Sequence, residues 1–406
     1  MASIPVPRRY RTVVYIPSRH DDNMLEVCLS IPTNVSSQPQ CNTGIVIAHP
    51  YGPLGGAYNN NVVGALLQWF ETNSLQATTE DPVSSQVSSS SLKRNSAGST
   101  HRKQNLDGAG TEPLAKTTAG LPKKSQSSSK NRPVPLSSVI CAFNFRGCGK
   151  SKGKTSWTGE AEREDYQTII DFLQSGSHSG SSQLKNTDQH DRDSGSSTPG
   201  FGWNGKIYNE LGREIDAPRL PFMSRFILSG YSYGAMIAST IPPPLRNPAV
   251  PSSGHLPTSY ILVSYPAGVA WFLTSGAQGS FYKRARAILQ GEYDASSTPS
   301  SSLSNELNTE AVEGDKKQAT VEAYFITGTQ DQFTSTKTLL TWLKTNTSLD
   351  PPKQVNSTTS WALKRPDGVI HLDVVENVDH FWMDQEQELL DRVQSWWSEA
   401  HPTADI

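Results

Sequence analysis

No apolar run in this chain of 406 residues approaches the ~18–20 residues that a membrane-spanning helix requires, so no transmembrane segment is expected. Charge of one sign is missing as well. Lys and Arg number 36 against 38 Asp and Glu, for a net charge of -2. That balance gives no electrostatic reason to expect nucleic acid as a partner. Cysteine is scarce: Cys28, Cys41, Cys141 and Cys148 show neither disulfide-framework nor zinc spacing. Cys28 and Cys141 lie in apolar strand patterns, where cysteine behaves as a small buried hydrophobe. The N-terminal stretch, ending in Arg8 and Arg9, lacks an apolar signal-peptide core. Together these absences predict a reduced, cytoplasmic setting. Apolar residues make up 35%, below the roughly 45–50% of a compact domain, a benchmark that also counts Gly. The shortfall is uneven. It sits in Ser-rich stretches, so the remainder can still bury a sizeable core.

What is present alternates between patterned and low-complexity segments. Met24 to Pro32 alternates apolar and other residues, as a half-exposed strand does, with Thr12 to Ile16 as its hairpin partner. Gly44 to His49 is a continuous apolar run of the buried parallel type. A helix follows, with Val62, Val63, Leu66, Leu67 and Phe70 at helical spacing. Further strands are predicted over Val139–Phe145, Phe226–Leu228, Tyr260–Ser264, Ala323–Ile326 and Val369–Val375. Helices are predicted near 159–174, after Ala235, over a segment carrying Phe333, Leu339, Leu340 and Leu343, and in a closing segment with Trp396 and Trp397. Three Ser-rich inserts, 74–135, 175–220 and 293–318, hold too few large apolar residues to offset their ordering entropy and are expected to be disordered. Without them the chain reads as one α/β domain over 10–400, a mostly parallel sheet with helices on both faces. The inserts fall between elements, where length is tolerated.

The most informative run is Gly230-Tyr231-Ser232-Tyr233-Gly234, between an apolar strand and a small-residue helix. It has the G-x-S-x-G pattern of a nucleophile elbow. A serine attacks well only when lifted clear of the backbone on a sharp turn, and such a turn crowds its neighbours, hence the flanking glycines. A serine nucleophile needs a base, and the base an orienting acid. Of nine histidines, His101, His178, His190 and His255 sit in or beside inserts, His20 and His401 lie near the ends, and His371 is inside a strand. His49 ends an early strand. His380, in the loop after the last one, is the better candidate base. For the acid, Asp331 follows Thr327-Gly328-Thr329-Gln330 at the carboxyl edge of a strand, where open α/β sheets bind ligands. A helix N-cap is the competing role for it. The chain order Ser232, Asp331, His380 favours the acid; Asp373 and Asp379 are weaker alternatives.

An oxyanion hole needs two backbone N–H groups. One is expected from Tyr233. The other is expected from the loop His49-Pro50-Tyr51-Gly52-Pro53-Leu54-Gly55-Gly56, where the prolines have no N–H, leaving Tyr51 ahead of Gly52. Gly149-Lys150-Ser151 imitates the end of a phosphate-binding loop, but the required earlier glycine is Asn144, so a tight turn anchored by Arg146 is the better reading.

The His49-Pro50 loop, the Asn144-Phe145-Arg146-Gly147 turn, the elbow, the Gly328-Thr329-Gln330-Asp331 turn and the Asp379-His380-Phe381-Trp382 loop occur in that order. In this they resemble the α/β-hydrolase superfamily, and within it the small, nearly cap-less serine hydrolases whose first loop reads His-Pro-His-Pro. Tyr51 stands where that group often has His. The resemblance implies an α/β-hydrolase fold and a serine hydrolase cleaving a carboxylic ester or related acyl compound through an acyl-enzyme, with a small-molecule acyl substrate and no cofactor or metal. Peptidase, thioesterase and acyltransferase activities use the same triad, and a non-catalytic binding protein of this fold is a further alternative. The cap region of that fold falls here at Pro266–Gln290, which is short. Trp271 and Phe272 within it are candidates for an acyl pocket or for core packing, and His49 and Gly52 are further pocket candidates.

Overall fold

The structure is a computed structural model that describes residues 9–33, 42–76, 138–175, 205–246, 254–293, 321–347, 360–365 and 368–400. All belong to one of two units into which the chain divides, that of Met1–Thr79 with Asn131–Ile406. The chain opens with an antiparallel pair, β1 (Arg9–Pro17) and β2 (Met24–Pro32), followed by β3 (Asn42–Ala48), α1 (Asn61–Gln76), β4 (Val139–Phe143) and α2 (Glu160–Ser175). Next come a short ribbon, β5 (Ile207–Tyr208) and β6 (Glu214–Ile215), and then β7 (Met223–Tyr231), α3 (Tyr233–Ala238) and β8 (Thr258–Val263). After these stand α4 (Ala270–Leu273), α5 (Gln278–Leu289), β9 (Val321–Gln330), α6 (Thr336–Thr347), β10 (Ser360–Arg365), β11 (Gly368–Asp379) and α7 (Glu386–Ala400).

The strands form one sheet in the order β10-β11-β9-β8-β7-β3-β4-β2-β1-β5-β6. The block from β4 through β3, β7, β8 and β9 to β11 is parallel, and β2 and β10 close it with antiparallel pairs. Parallel strands are buried on both faces, which is why these segments read as unbroken apolar runs. Two apolar clusters result. Ile45, Ile47, Ile261 and Val263 pack with α1 and α7, whose Phe70 and Trp397 are buried there. Val46, Ala48, Tyr260 and Leu262 turn to the other face, toward Ile169 of α2, Met236 of α3, Phe281 of α5 and Leu339 of α6. From β3 the chain passes to β4 on one side, then crosses back to β7 on the other. The crevice at such a reversal, outside the carboxyl ends of the strands, is where open α/β sheets bind ligands.

Some elements have no clear sequence pattern. The edge strand β10 is half exposed, and α5 follows no long apolar run. Phe333 lies before helix α6 rather than in it, because Ser335 caps the helix: its Oγ accepts the Thr338 N–H at 3.2 Å. Most of the three expected inserts, at 77–135, 176–204 and 294–318, lies outside the described residues. Residues 205–220 depart from that expectation, since Ile207 is buried and Tyr208 pairs with Tyr15 of β1. Among the described residues no helix is long and apolar enough to cross a membrane.

Candidate active site

Ser232 sits between the end of β7 and the start of α3, with φ 54° and ψ -117°. That conformation suits glycine, so a serine held there is strained, and strain of this kind concentrates at functional positions. The neighbours hold it in place. The Ser232 N–H donates to the Val263 carbonyl at 2.8 Å. A Cβ on Gly230 would stand 2.2 Å from the Gly234 carbonyl carbon, and one on Gly234 2.5 Å from the Ala48 carbonyl oxygen. Both glycines are therefore required by the close approach of α3 to β7 and β3.

The strand register of β11 against β9 shifts between Val375 and Asp379, and the irregularity delivers His380 over the elbow. The imidazole is fixed on several sides. The Tyr231 hydroxyl donates to the His380 carbonyl at 2.7 Å, the His380 N–H donates to Gln332 Oε1 at 3.1 Å, and the Phe333 ring meets the imidazole edge-on at 4.6 Å. His380 Nε2 is 2.8 Å from Ser232 Oγ, and Nδ1 is 2.8 Å from Asp331 Oδ2. The other carboxylate oxygen, Oδ1, accepts the Phe333 and Thr334 N–H groups, each at 2.9 Å. Asp331 thus makes both bonds its sequence context suggests, to an imidazole and to the turn before a helix. With the carboxylate accepting at Nδ1–H, Nε2 is left to accept from the serine hydroxyl. All three side chains are buried, Ser232 being 7% exposed.

The weaker acid candidates are engaged elsewhere. Asp379 Oδ1 accepts the Phe381 and Trp382 N–H groups, and Asp373 Oδ2 accepts the Tyr324 hydroxyl at 2.8 Å. Tyr231, Gln332 and Phe333, which orient the imidazole, have no sequence signal beyond their places beside the elbow and the acid.

The loop after β3 makes a single turn of 3-10 helix, Gly52–Leu54. The Tyr51 carbonyl accepts from Leu54 and Gly56, and among the described residues no acceptor takes the Tyr51 N–H. The Tyr51 ring meets the Tyr233 ring at 5.2 Å. Tyr233 opens α3, so its N–H has no intrahelical acceptor.

His49 and Gly52 are packed rather than open, and Trp271 and Phe272 take the other of their two expected places. His49 is fully buried: Nε2 accepts the Phe145 N–H at 2.9 Å and Nδ1 donates to the Pro50 carbonyl at 2.5 Å. Burial pushes its pKa down to about 4, and with both nitrogens occupied it is a pillar under the loop rather than a pocket wall. Gly52 is seated against Cys148, whose Sγ would lie 2.1 Å from an added Cβ. Trp271 and Phe272 are not core residues; in the single turn of α4 it is Ala270 and Leu273 that face inward, leaving the two aromatics 60% and 58% exposed. The Gly149-Lys150-Ser151 turn is structural: Lys150 pairs with Glu210 at 2.5 Å, and Arg146 is buried against Asp165 and Asp21.

A parallel block edged by antiparallel strands thus carries the serine after β7, the carboxylate after β9 and the imidazole after β11. The fold is that of the α/β-hydrolases. No protein-family model matches the sequence, and no curated protein does. Solved structures similar to the chain include an alpha-beta serine hydrolase homologue from Coxiella burnetii, at 14% identity over 97% of this chain and 99% of that one, TM-score 0.41. Others are a serine hydrolase without lid from Xanthomonas campestris, at 13% identity over 99% and 100%, TM-score 0.42, and an esterase from Pyrococcus furiosus, at 10% over 97% and 93%, TM-score 0.41.

Proposed function

We propose that the protein is a serine hydrolase that cleaves carboxylic esters with an apolar acyl group. The observation that carries this reading is the continuous relay from Ser232 Oγ through His380 to Asp331, two contacts of 2.8 Å each. In the first half-reaction Ser232 Oγ bonds to the ester carbonyl carbon while His380 Nε2 takes the hydroxyl proton. Asp331 holds the tautomer and stabilises the imidazolium. The carbonyl oxygen becomes negative and is received by the N–H groups of Tyr233 and Tyr51. Collapse breaks the bond to the leaving alcohol, which departs with the proton from Nε2. Water then attacks the acyl-enzyme, giving its proton to Nε2, and a second collapse releases the acid and restores the serine.

The apolar acyl group is supported by the exposed side chains at the sheet edge that carries Ser232. Among the described residues eleven large apolar side chains are exposed, and Leu54, Trp157, Trp271, Phe272, Phe381 and Met383 are six of them. Those six lie in the connections that follow β3, β4, β8 and β11, at the same sheet edge as Ser232. An apolar rim of this kind favours an apolar substrate over a charged one.

A fluorophosphonate probe tests the reading, together with hydrolysis of p-nitrophenyl esters of increasing chain length. Wild type should be labelled and should prefer the longer acyl chains, whereas Ser232→Ala should lose labelling and at least about 10³-fold in kcat. Equal labelling of the two proteins would remove Ser232 as the nucleophile.

A further inference from the structure

A second concavity, of about 850 Å³, lies between α5 and α6, within the range of small-molecule sites. Its character differs from that of the rim around Ser232. Lys283 and Arg286 reach it from α5 and Lys337 from α6, and among the described residues no carboxylate lines it. None of the three cations pairs with an acid among the described residues, and Arg286 makes only a long bond, 3.4 Å, to Asn346 Oδ1. On the same helix Arg284 is neutralised by Glu160 at 2.5 Å, so the unpaired charges are specific to the side facing the groove. The floor is Trp342, 6% exposed, whose ring lies 5.6 Å from that of Tyr282 and whose buried Nε1–H has no acceptor among the described residues. Such an N–H is rarely left unsatisfied in a buried position.

We infer that this groove binds a phosphate-bearing small molecule, the anion held by Lys283, Arg286 and Lys337 and the apolar part resting on Tyr282 and Trp342. Charge-assisted bonds from converging ammonium and guanidinium groups are the strong kind of anion contact. The groove also touches the catalytic side. The Tyr282 hydroxyl donates to the Ala267 carbonyl at 3.0 Å, the next residue, Gly268, donates to Thr334 Oγ1 at 3.1 Å, and the Thr334 N–H donates to Asp331.

Calorimetric titration of the full chain with inorganic pyrophosphate tests the assignment and needs no catalytic activity, so its outcome is independent of the hydrolase reading. Saturable one-to-one binding is expected, weakened at least about tenfold in Lys283→Gln/Lys337→Gln and in Arg286→Gln, and retained in Lys283→Arg/Lys337→Arg. The Gln variants lie at exposed positions, so their melting temperatures should match wild type. Absence of saturable binding, or equal binding by wild type and the Gln variants, would overturn the site.

Discussion

Ser232 holds a conformation that costs free energy, and the cost is separable from the chemistry. Glycine adopts φ 54° without penalty, whereas alanine does not. Ser232→Gly should therefore be more stable than Ser232→Ala by about 1 kcal/mol, read as a higher denaturation midpoint, with both variants inactive. Asp331 allows a similar separation. Asp331→Asn keeps an oxygen for the Phe333 and Thr334 amides but disturbs the imidazole tautomer, so kcat should fall by about 10⁴-fold while the fold survives. Asp373→Asn, whose side chain meets Tyr324 instead, should leave kcat close to wild type; a larger loss there than at Asp331 would reverse the assignment. The meeting of Ser232, Asp331 and His380 was legible because the elbow singles out the serine and chain order then singles out the other two. The place of His49 was not, nor was the choice between core and surface for Trp271 and Phe272, since whether a ring faces a cavity, a carbonyl or solvent depends on contacts far away in sequence.

At the scale of elements, the junction of β3 with β4 rests on the neutral His49 imidazole, which accepts the Phe145 N–H. Its folded pKa, about 4, lies below the unfolded value of 6.5. Between those values the unfolded chain binds more protons, so stability contributed by the neutral ring is complete above pH 6.5 and falls as the pH drops toward 4. The loss from this group is on the order of 3 kcal/mol. The fall in melting temperature between pH 7 and 4.5 should thus be shallower in His49→Gln than in wild type; parallel slopes would contradict the argument. Gly234→Ala belongs to the same scale, since its Cβ would stand 2.5 Å from the Ala48 carbonyl and push α3 off β3, lowering both stability and activity. The parallel strands and α1, α2 and α7 were legible because burial on two faces or one stripe leaves a clear period. The edge strand β10 and helix α5 were not. A half-exposed edge needs few apolar residues, and α5 buries only Phe281, Ala285, Ile288 and Leu289.

Across the whole molecule the two edges of the sheet are unequal. Connections that leave the carboxyl ends of the parallel strands are short and carry Tyr51, Trp157, Ser232, Asp331 and His380. Residues 77–137, 176–204 and 294–320 each follow a described helix and precede a described strand in the chain. Replacing 77–137 by a short Gly/Ser linker should leave ester hydrolysis within about twofold of wild type, since loop length alone changes closure entropy only slowly. A loss of activity with the melting temperature unchanged would show that this segment serves the reaction directly. The same asymmetry makes the protein directional. An anchor engineered at the amino ends of the parallel strands would hold the described sheet with its Ser232 edge facing away from the support.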